Sequence, residues 1–186
     1  MAIDKREDPP GAFNFAISLM DSASSTGAAI TTIAINTLTD NMDAGFNECS
    51  GLEMTMEVED YQEGGNNGTV LKFPTRMQWG KLVMKKGIVK NSDLWDWVYG
   101  FCEGKVVRKD GLITLLGEKG LAHTVWKFKR GLPVKYSGPQ FNAQQNAVAF
   151  ESVEIEHEGL ELLSGASGLA SAINSAAEGI GSLFND

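Results

Sequence analysis

Leu52-Glu53-Met54-Thr55-Met56-Glu57-Val58-Glu59 alternates apolar and polar residues one for one. Side chains spaced by two fall on the same face of an extended chain, so Leu52, Met54, Met56 and Val58 share one face and the acids share the other. That is the signature of a half-buried antiparallel strand. The pattern recurs in both directions. Upstream, Phe13, Phe15, Ile17 and Leu19 alternate with Asn14, Ala16 and Ser18. Downstream, Gly64-Gly65-Asn66-Asn67-Gly68 reads as a turn or loop, and a strand over residues 69–73 is expected to stop at Pro74. Over residues 77–84 the parity shifts from Met77 and Trp79 to Leu82 and Met84, which predicts a bulge at Gly80-Lys81. Further strands are expected over 112–116, 122–128 and 147–155. The last slips parity again, from Val148 and Phe150 to Val153 and Ile155. Two bulged strands in a β-rich chain point to a curved sheet or a barrel.

One central stretch has helical spacing. Leu94, Trp97, Val98 and Phe101 share a face, Asn91 or Ser92 can cap the first turn, and Asp93 and Asp96 suit the positive end of the helix dipole. The helix is expected to plug one side of the sheets. Residues 22–43, rich in Ser, Thr, Ala and Asn, read as a long loop or extra hairpin. The main domain is therefore placed at 1–163, with a Gly/Ala-rich tail over 164–186. In that tail Ala166, Leu169, Ile173, Ala176, Ile180 and Leu183 form a narrow helical stripe, interrupted by glycines that each cost roughly 1 kcal/mol against alanine.

The chain has 186 residues, one domain's length, and 42% apolar residues suffice for a core without disulfides or a structural metal. Cys49 and Cys102 form no CxxC motif or Cys/His cluster and read as reduced thiols. No leader-like N-terminus and no apolar run of about 18 residues is present, so the expectation is a cytosolic product without a signal peptide and without membrane insertion of its own. The net charge of −8 conceals an uneven distribution: residues 72–135 hold 14 Lys/Arg against 5 Asp/Glu, while the flanks hold 2 against 19. This predicts a subunit whose basic and acidic surfaces meet in a polymer.

No set of catalytic residues can be assembled. GxSxG, HExxH, GxxxxGK[ST] and GxGxxG after a strand are absent, and neither histidine is paired with a nucleophile. His123 reads as an ordinary strand residue. Glu156 and Glu158 flank His157, but strand alternation points them away from it, so no metal site is expected. The acids Glu151, Glu154, Glu156, Glu158 and Glu161 lack the turn glycine and ligand spacing of a calcium loop and read as a solvated or interface-facing strand. Trp79, Trp95, Trp97 and Trp126 are interleaved with lysines, loosely as in a single-strand nucleic-acid platform, but their parities assign them to the core. Catalytic, cofactor-binding and metal residues are all expected to be none.

Several phrases in order carry a resemblance. Phe46-Asn47-Glu48-Cys49-Ser50-Gly51-Leu52 with the acidic strand behind it, Tyr61-Gln62-Glu63-Gly64-Gly65, Leu71-Lys72-Phe73-Pro74 and Leu82-Val83-Met84-Lys85-Lys86-Gly87 fill the first half. Asp93-Leu94-Trp95-Asp96-Trp97, Trp126-Lys127-Phe128 with Leu132-Pro133, Val148-Ala149-Phe150-Glu151 and Glu156-His157-Glu158-Gly159-Leu160 complete it. Together, over residues 11–160, the chain resembles the tail tube proteins of contractile phages and phage-like contractile injection systems. The resemblance implies a mainly β fold, two packed antiparallel sheets forming a small barrel with one helix. It implies no catalysis and no cofactor. It implies six copies in a ring, rings stacked into an inner tube, sheath and baseplate proteins as partners, and DNA or protein cargo in the lumen. The chain departs from simpler members in the length between Leu19 and Phe46 and in the tail after Leu163. Those departures keep open a baseplate-proximal, tube-initiating ring; a monomeric β-barrel ligand-binding module is the alternative outside the family.

Overall fold

The computed structural model describes residues 11–22, 45–65, 68–88, 93–117, 122–144, 146 and 148–163. The expected insertion beyond Ser22, the helix cap at Asn91 or Ser92, and the tail over 164–186 lie outside the described residues. The strands are β1 (Phe15–Asp21), β2 (Phe46–Ser50), β3 (Met54–Tyr61), β4 (Leu71–Trp79), β5 (Leu82–Gly87), β6 (Lys109–Leu116), β7 (Ala122–Ser137), β8 (Phe150–Glu156) and β9 (Gly159–Leu162); helix α1 (Asp93–Tyr99) sits between β5 and β6. All pairings are antiparallel. Seven strands form one sheet in the order β1-β6-β7-β8-β5-β2, with β9 also on β7, while β3 and β4 pair only with each other.

The large sheet folds over on itself at a corner built by its two longest strands. β7 runs for 16 residues and bends at Arg130, whose φ of 52° is left-handed and whose N–H donates to Asp110 Oδ1 at 2.8 Å. From Gly159 opposite Lys129 to Ile155 opposite Pro133, β9 and the end of β8 keep one register along β7, interrupted at His157-Glu158, where the Glu158 N–H still donates to the Lys129 carbonyl. Both strands therefore turn at the same level. The two halves face each other across Leu82, Met84, Ile113, Phe128, Val153 and Ile155, with Leu94 and Trp97 of α1 in the same cluster. Each such side chain, once withdrawn from water, stabilises the fold by about 1.5–3 kcal/mol. Helix α1 thus plugs the sheet as expected, held further by Trp97 Nε1–H donating to the Val107 carbonyl at 2.8 Å. Among the described residues the sheet is open, ending at β1 and β2 rather than closing into a barrel.

Three local expectations need correction. Pro74 does not end β4; the strand runs on to Trp79, and Pro74 sits beside a register shift in a two-stranded ribbon, where a missing N–H is tolerated. Gly80-Lys81 is not a bulge within one strand but the crossing from β4 to β5, two strands of different sheets. The second bulge expected near Phe150 is absent, because β8 begins at Phe150 and holds even register with β5; the irregularity lies on β7 between Pro133 and Lys135.

Candidate assembly surface

β3 and β4 project from the body as a two-stranded arm. Every residue from Met54 to Gln78 in these strands is exposed, including Met54 at 68%, Val58 at 51%, Tyr61 at 55% and Phe73 at 52%. The apolar face that sequence parity turned toward protein is thus left open among the described residues. A lone two-stranded hairpin is at best marginally stable in water, and contiguous exposed apolar surface marks an interaction site.

The arm leaves the body through a narrow root. Gly51 has a φ of 90°, and a Cβ there would lie 1.8 Å from the Lys81 carbonyl oxygen. Gly80 lies across from it, where a Cβ would come within 3.0 Å of Glu53 Cβ, and its N–H donates to the Glu53 carbonyl at 3.0 Å. Only glycines let the two chains approach this closely. Trp79, the last residue of β4, sets its ring 6.1 Å from that of His157, which in turn lies 6.3 Å from Phe128 in the core. Both His157 ring nitrogens are shielded from solvent without a hydrogen-bond partner. Burial pulls the His157 pKa below its ordinary value, opposed in part by the neighbouring backbone of Gly159 and Gly80 and by Glu156.

The acidic run is not a free face. Glu156 pairs with Lys81, Glu154 with Lys135, Glu158 with Arg108 and Arg130, and Glu161 with Lys129. Glu151 is buried and reaches Lys86 at 3.4 Å, while its other carboxylate oxygen accepts the Tyr136 hydroxyl at 2.7 Å. Burial, then the hydrogen bond and charge of Glu151, push the Tyr136 phenol up to about 12. The expectation that the basic centre and the acidic flanks meet between subunits therefore fails for these five acids. Antiparallel register lays β8 and β9 against β5 and β7, so the opposite charges meet inside one chain.

His123 is an exposed strand residue, with Nδ1 2.8 Å from Thr124 Oγ1. The described residues hold no group of three or more His, Cys, Asp or Glu able to bind a metal. Cys49 and Cys102 are both free thiols. Trp97 is buried and Trp79 and Trp126 are half-buried, as their parities predict. Trp95 departs: it is 47% exposed, stacked on Tyr99 and edge-on to Tyr136. No helix among the described residues is long and apolar enough to cross a membrane.

The family model described as T4-like virus tail tube protein gp19 matches residues 11–161. Among solved structures, a chain of the anti-feeding prophage (AFP) baseplate superposes with a TM-score of 0.69 at 22% identity, covering 86% of this chain and 98% of that one. A chain of the extracellular contractile injection system PVC sheath-tube complex in its extended state gives 0.67 at 21%, covering 85% and 93%. A chain of the AFP tube-terminating cap gives 0.67 at 20%, covering 89% and 100%. At such identities these likenesses establish the shared fold. A search of curated protein sequences returned no match.

Proposed function

The chain belongs to the T4-like virus tail tube protein family, and from that premise we propose that it is a structural subunit that assembles as hexameric rings stacked into the inner tube of a contractile tail or injection system. The tube is the conduit through which DNA or a protein effector passes, and sheath and baseplate proteins are its outer and terminal partners. The observation that carries this reading is the arm: a two-stranded ribbon whose apolar residues, Trp79 at its root apart, are exposed is surface built for another molecule. In a head-to-tail assembly the arm of each copy meets the body of the next, and such heterologous contacts close into rings or continue as filaments.

The folded seven-stranded sheet is, in this reading, the small barrel of the subunit. Its end strands β1 and β2 are paired on one side only among the described residues, and they offer backbone groups to neighbouring copies. Neutralisation of β8 and β9 by in-chain ion pairs leaves Glu53, Glu59 and Glu63 without an ion pair among the described residues, as the acids available to face a channel. A like-charged lining keeps a polyanion from adhering as it passes.

Sedimentation combined with negative-stain electron microscopy of the purified chain tests the proposal. Rings or stacked rings are expected; a protein that stays monomeric at millimolar concentration overturns it.

A further inference from the structure

β6 is covered on both of its faces. Leu112, Ile113 and Thr114 follow one another along the strand and each is only 3% exposed, whereas successive side chains of a strand point to opposite sides of its sheet. Ile113 points inward, into the core cluster, with Ile17 and Leu19 of β1 and Trp126 and Phe128 of β7. Leu112 and Thr114 therefore point outward. Register sets Ser18 and Ala16 of β1 beside them on one side, and Lys127 and Val125 of β7 on the other. Val125 is fully buried, and around it and Leu112 pack Met20, Ala122 and Leu163, a second cluster on the reverse of the sheet from the core.

These neighbours all belong to the same sheet. Side chains standing on one face shield each other's flanks but leave their tips open, so a valine without exposure in the middle of a face has a second layer above it. Among the described residues neither candidate supplies that layer: helix α1 lies in the core cluster and the arm is exposed. The charges of this face lie at its border. Asp110 accepts the Arg130 N–H, Glu161 pairs with Lys129, and half-buried Lys127 stands opposite Glu161 in register, with a stem long enough to carry its ammonium past the edge. An apolar cover over the centre therefore traps no lone charge.

We propose that this cover is the chain's own tail, residues 164–186, folded back over β1, β6, β7 and β9 as an amphipathic strap. The tail starts on this face: Leu163 belongs to the second cluster, and its N–H donates to the Val125 carbonyl at 2.7 Å. Ser164-Gly165 and Ser167-Gly168 supply turn residues where the chain has to reverse. Beyond them Leu169, Ile173, Ala176, Ile180 and Leu183 recur at helical spacing on one side, while Ser171, Asn174, Glu178 and Asn185 fall on the other. The apolar side carries no charge. Fifteen residues of helix span about 22 Å, close to the roughly 27 Å of an eight-residue strand such as β6. Glycines that leave such a helix marginal alone are tolerated because the sheet beneath holds it. The other two segments fit the face less well. Asp4-Lys5-Arg6-Glu7-Asp8-Pro9-Pro10 is too charged to lie on it. Residues 23–44 leave β1 from its far end, where the Ser22 N–H donates to the Arg108 carbonyl, and have to cross to β2 at the opposite edge of the sheet. The strap belongs to the single chain and does not depend on the tube reading.

The test places one reporter thiol in the full chain. In a Cys49→Ala, Cys102→Ala background, Val125→Cys sets a small thiol beneath the strap, and its labelling by a maleimide is followed in dilute, dissociated protein. The thiol is expected to be protected. Ile173→Lys is expected to speed its labelling about tenfold or more, and Ser171→Lys, on the reverse of the strap, to leave it protected. Ser18→Cys, half-buried and opposite Leu112, is a second reporter with the same expected pattern, used where Val125→Cys lowers the melting transition. Circular dichroism at the labelling temperature verifies that each variant is folded. The inference is overturned if the thiol stays protected in Ile173→Lys, or if Ser171→Lys exposes it equally. It is also overturned if Ile33→Lys exposes the thiol in place of Ile173→Lys, which assigns the cover to residues 23–44, or if dilution alone does so, which assigns it to a second copy of the chain.

Discussion

Replacing Lys86 by methionine isolates the one buried charge pair among the described residues. Lys86 and Glu151 are direct cross-strand partners on the core side of β5 and β8, with side chains only 7% and 6% exposed. Lys86→Met leaves the Glu151 carboxylate buried with the Tyr136 hydroxyl as its remaining partner. Removing one member of such a pair costs about 3–5 kcal/mol, because the other charge has lost its compensation. For a chain of this length each kcal/mol moves the melting temperature by roughly 2–4 °C, so a fall of roughly 6–20 °C is expected. The double change Lys86→Met with Glu151→Leu removes both charges and exposes only the Tyr136 hydroxyl to a lost bond, worth about 1 kcal/mol, so it recovers most of the loss. Urea titrations of the parent, both single variants and the double variant form a closed cycle. The Tyr136 ionisation gives a second readout: without Glu151 it falls from about 12 toward the ordinary phenol value. A Lys86→Met variant that loses under about 1 kcal/mol, or a double variant whose loss equals the sum of the singles, refutes the reasoning.

Gly51→Ala places a methyl group 1.8 Å from the Lys81 carbonyl at a φ of 90°, which costs about 1–3 kcal/mol in backbone strain alone; the expected result is a folded body with a displaced arm and no assembly, seen as monomer in sedimentation. Stability is expected to depend on His157 below neutral pH. Its folded pKa is lowered, so between that value and the ordinary histidine value near 6.5 the unfolded chain binds the extra proton; stability is full above about 6.5 and declines as the pH falls. Urea midpoints from pH 7.5 to 5 measure this, and a His157→Asn variant should flatten the slope across that window. Thiol labelling should distinguish the cysteines: burial raises the Cys49 pKa to about 11 whereas Cys102 is exposed, so a maleimide at neutral pH should modify Cys102 in the native protein and Cys49 only on unfolding.

Alternation made the strands legible, because a face turned to water and a face turned to protein differ in the residues they tolerate. It does not say whose protein covers the apolar face. Met54, Met56 and Val58 read as core residues, and they are exposed in the chain; period two is the same for burial within a subunit and burial between subunits. The helix was legible from Leu94 and Trp97, both now buried, since 3.6-residue spacing has few other sources. Charge runs misled for a different reason. Glu151 to Glu161 read as a solvated or interface face, yet which lysine each acid meets is decided by strand register, and register lies between segments far apart in sequence. The Gly80-Lys81 parity shift was detected, but a bulge and a sheet crossing leave the same local trace. What distinguishes them is Gly51, some 30 residues earlier, whose close approach to Lys81 marks the root of the arm. The register shift between Met56 and Val58, which leaves Thr75 and Arg76 together opposite Glu57, was invisible because these are ordinary strand residues.

In the proposed tube the arm is an intersubunit element, which a cryo-electron microscopy reconstruction of the assembled protein would show outright. Six copies per ring are expected, with Met54, Met56, Val58, Tyr61 and Phe73, 44–68% exposed in the single chain, buried against neighbouring copies. An assembly in which those side chains remain in water, or in which each arm folds back onto its own body, contradicts it.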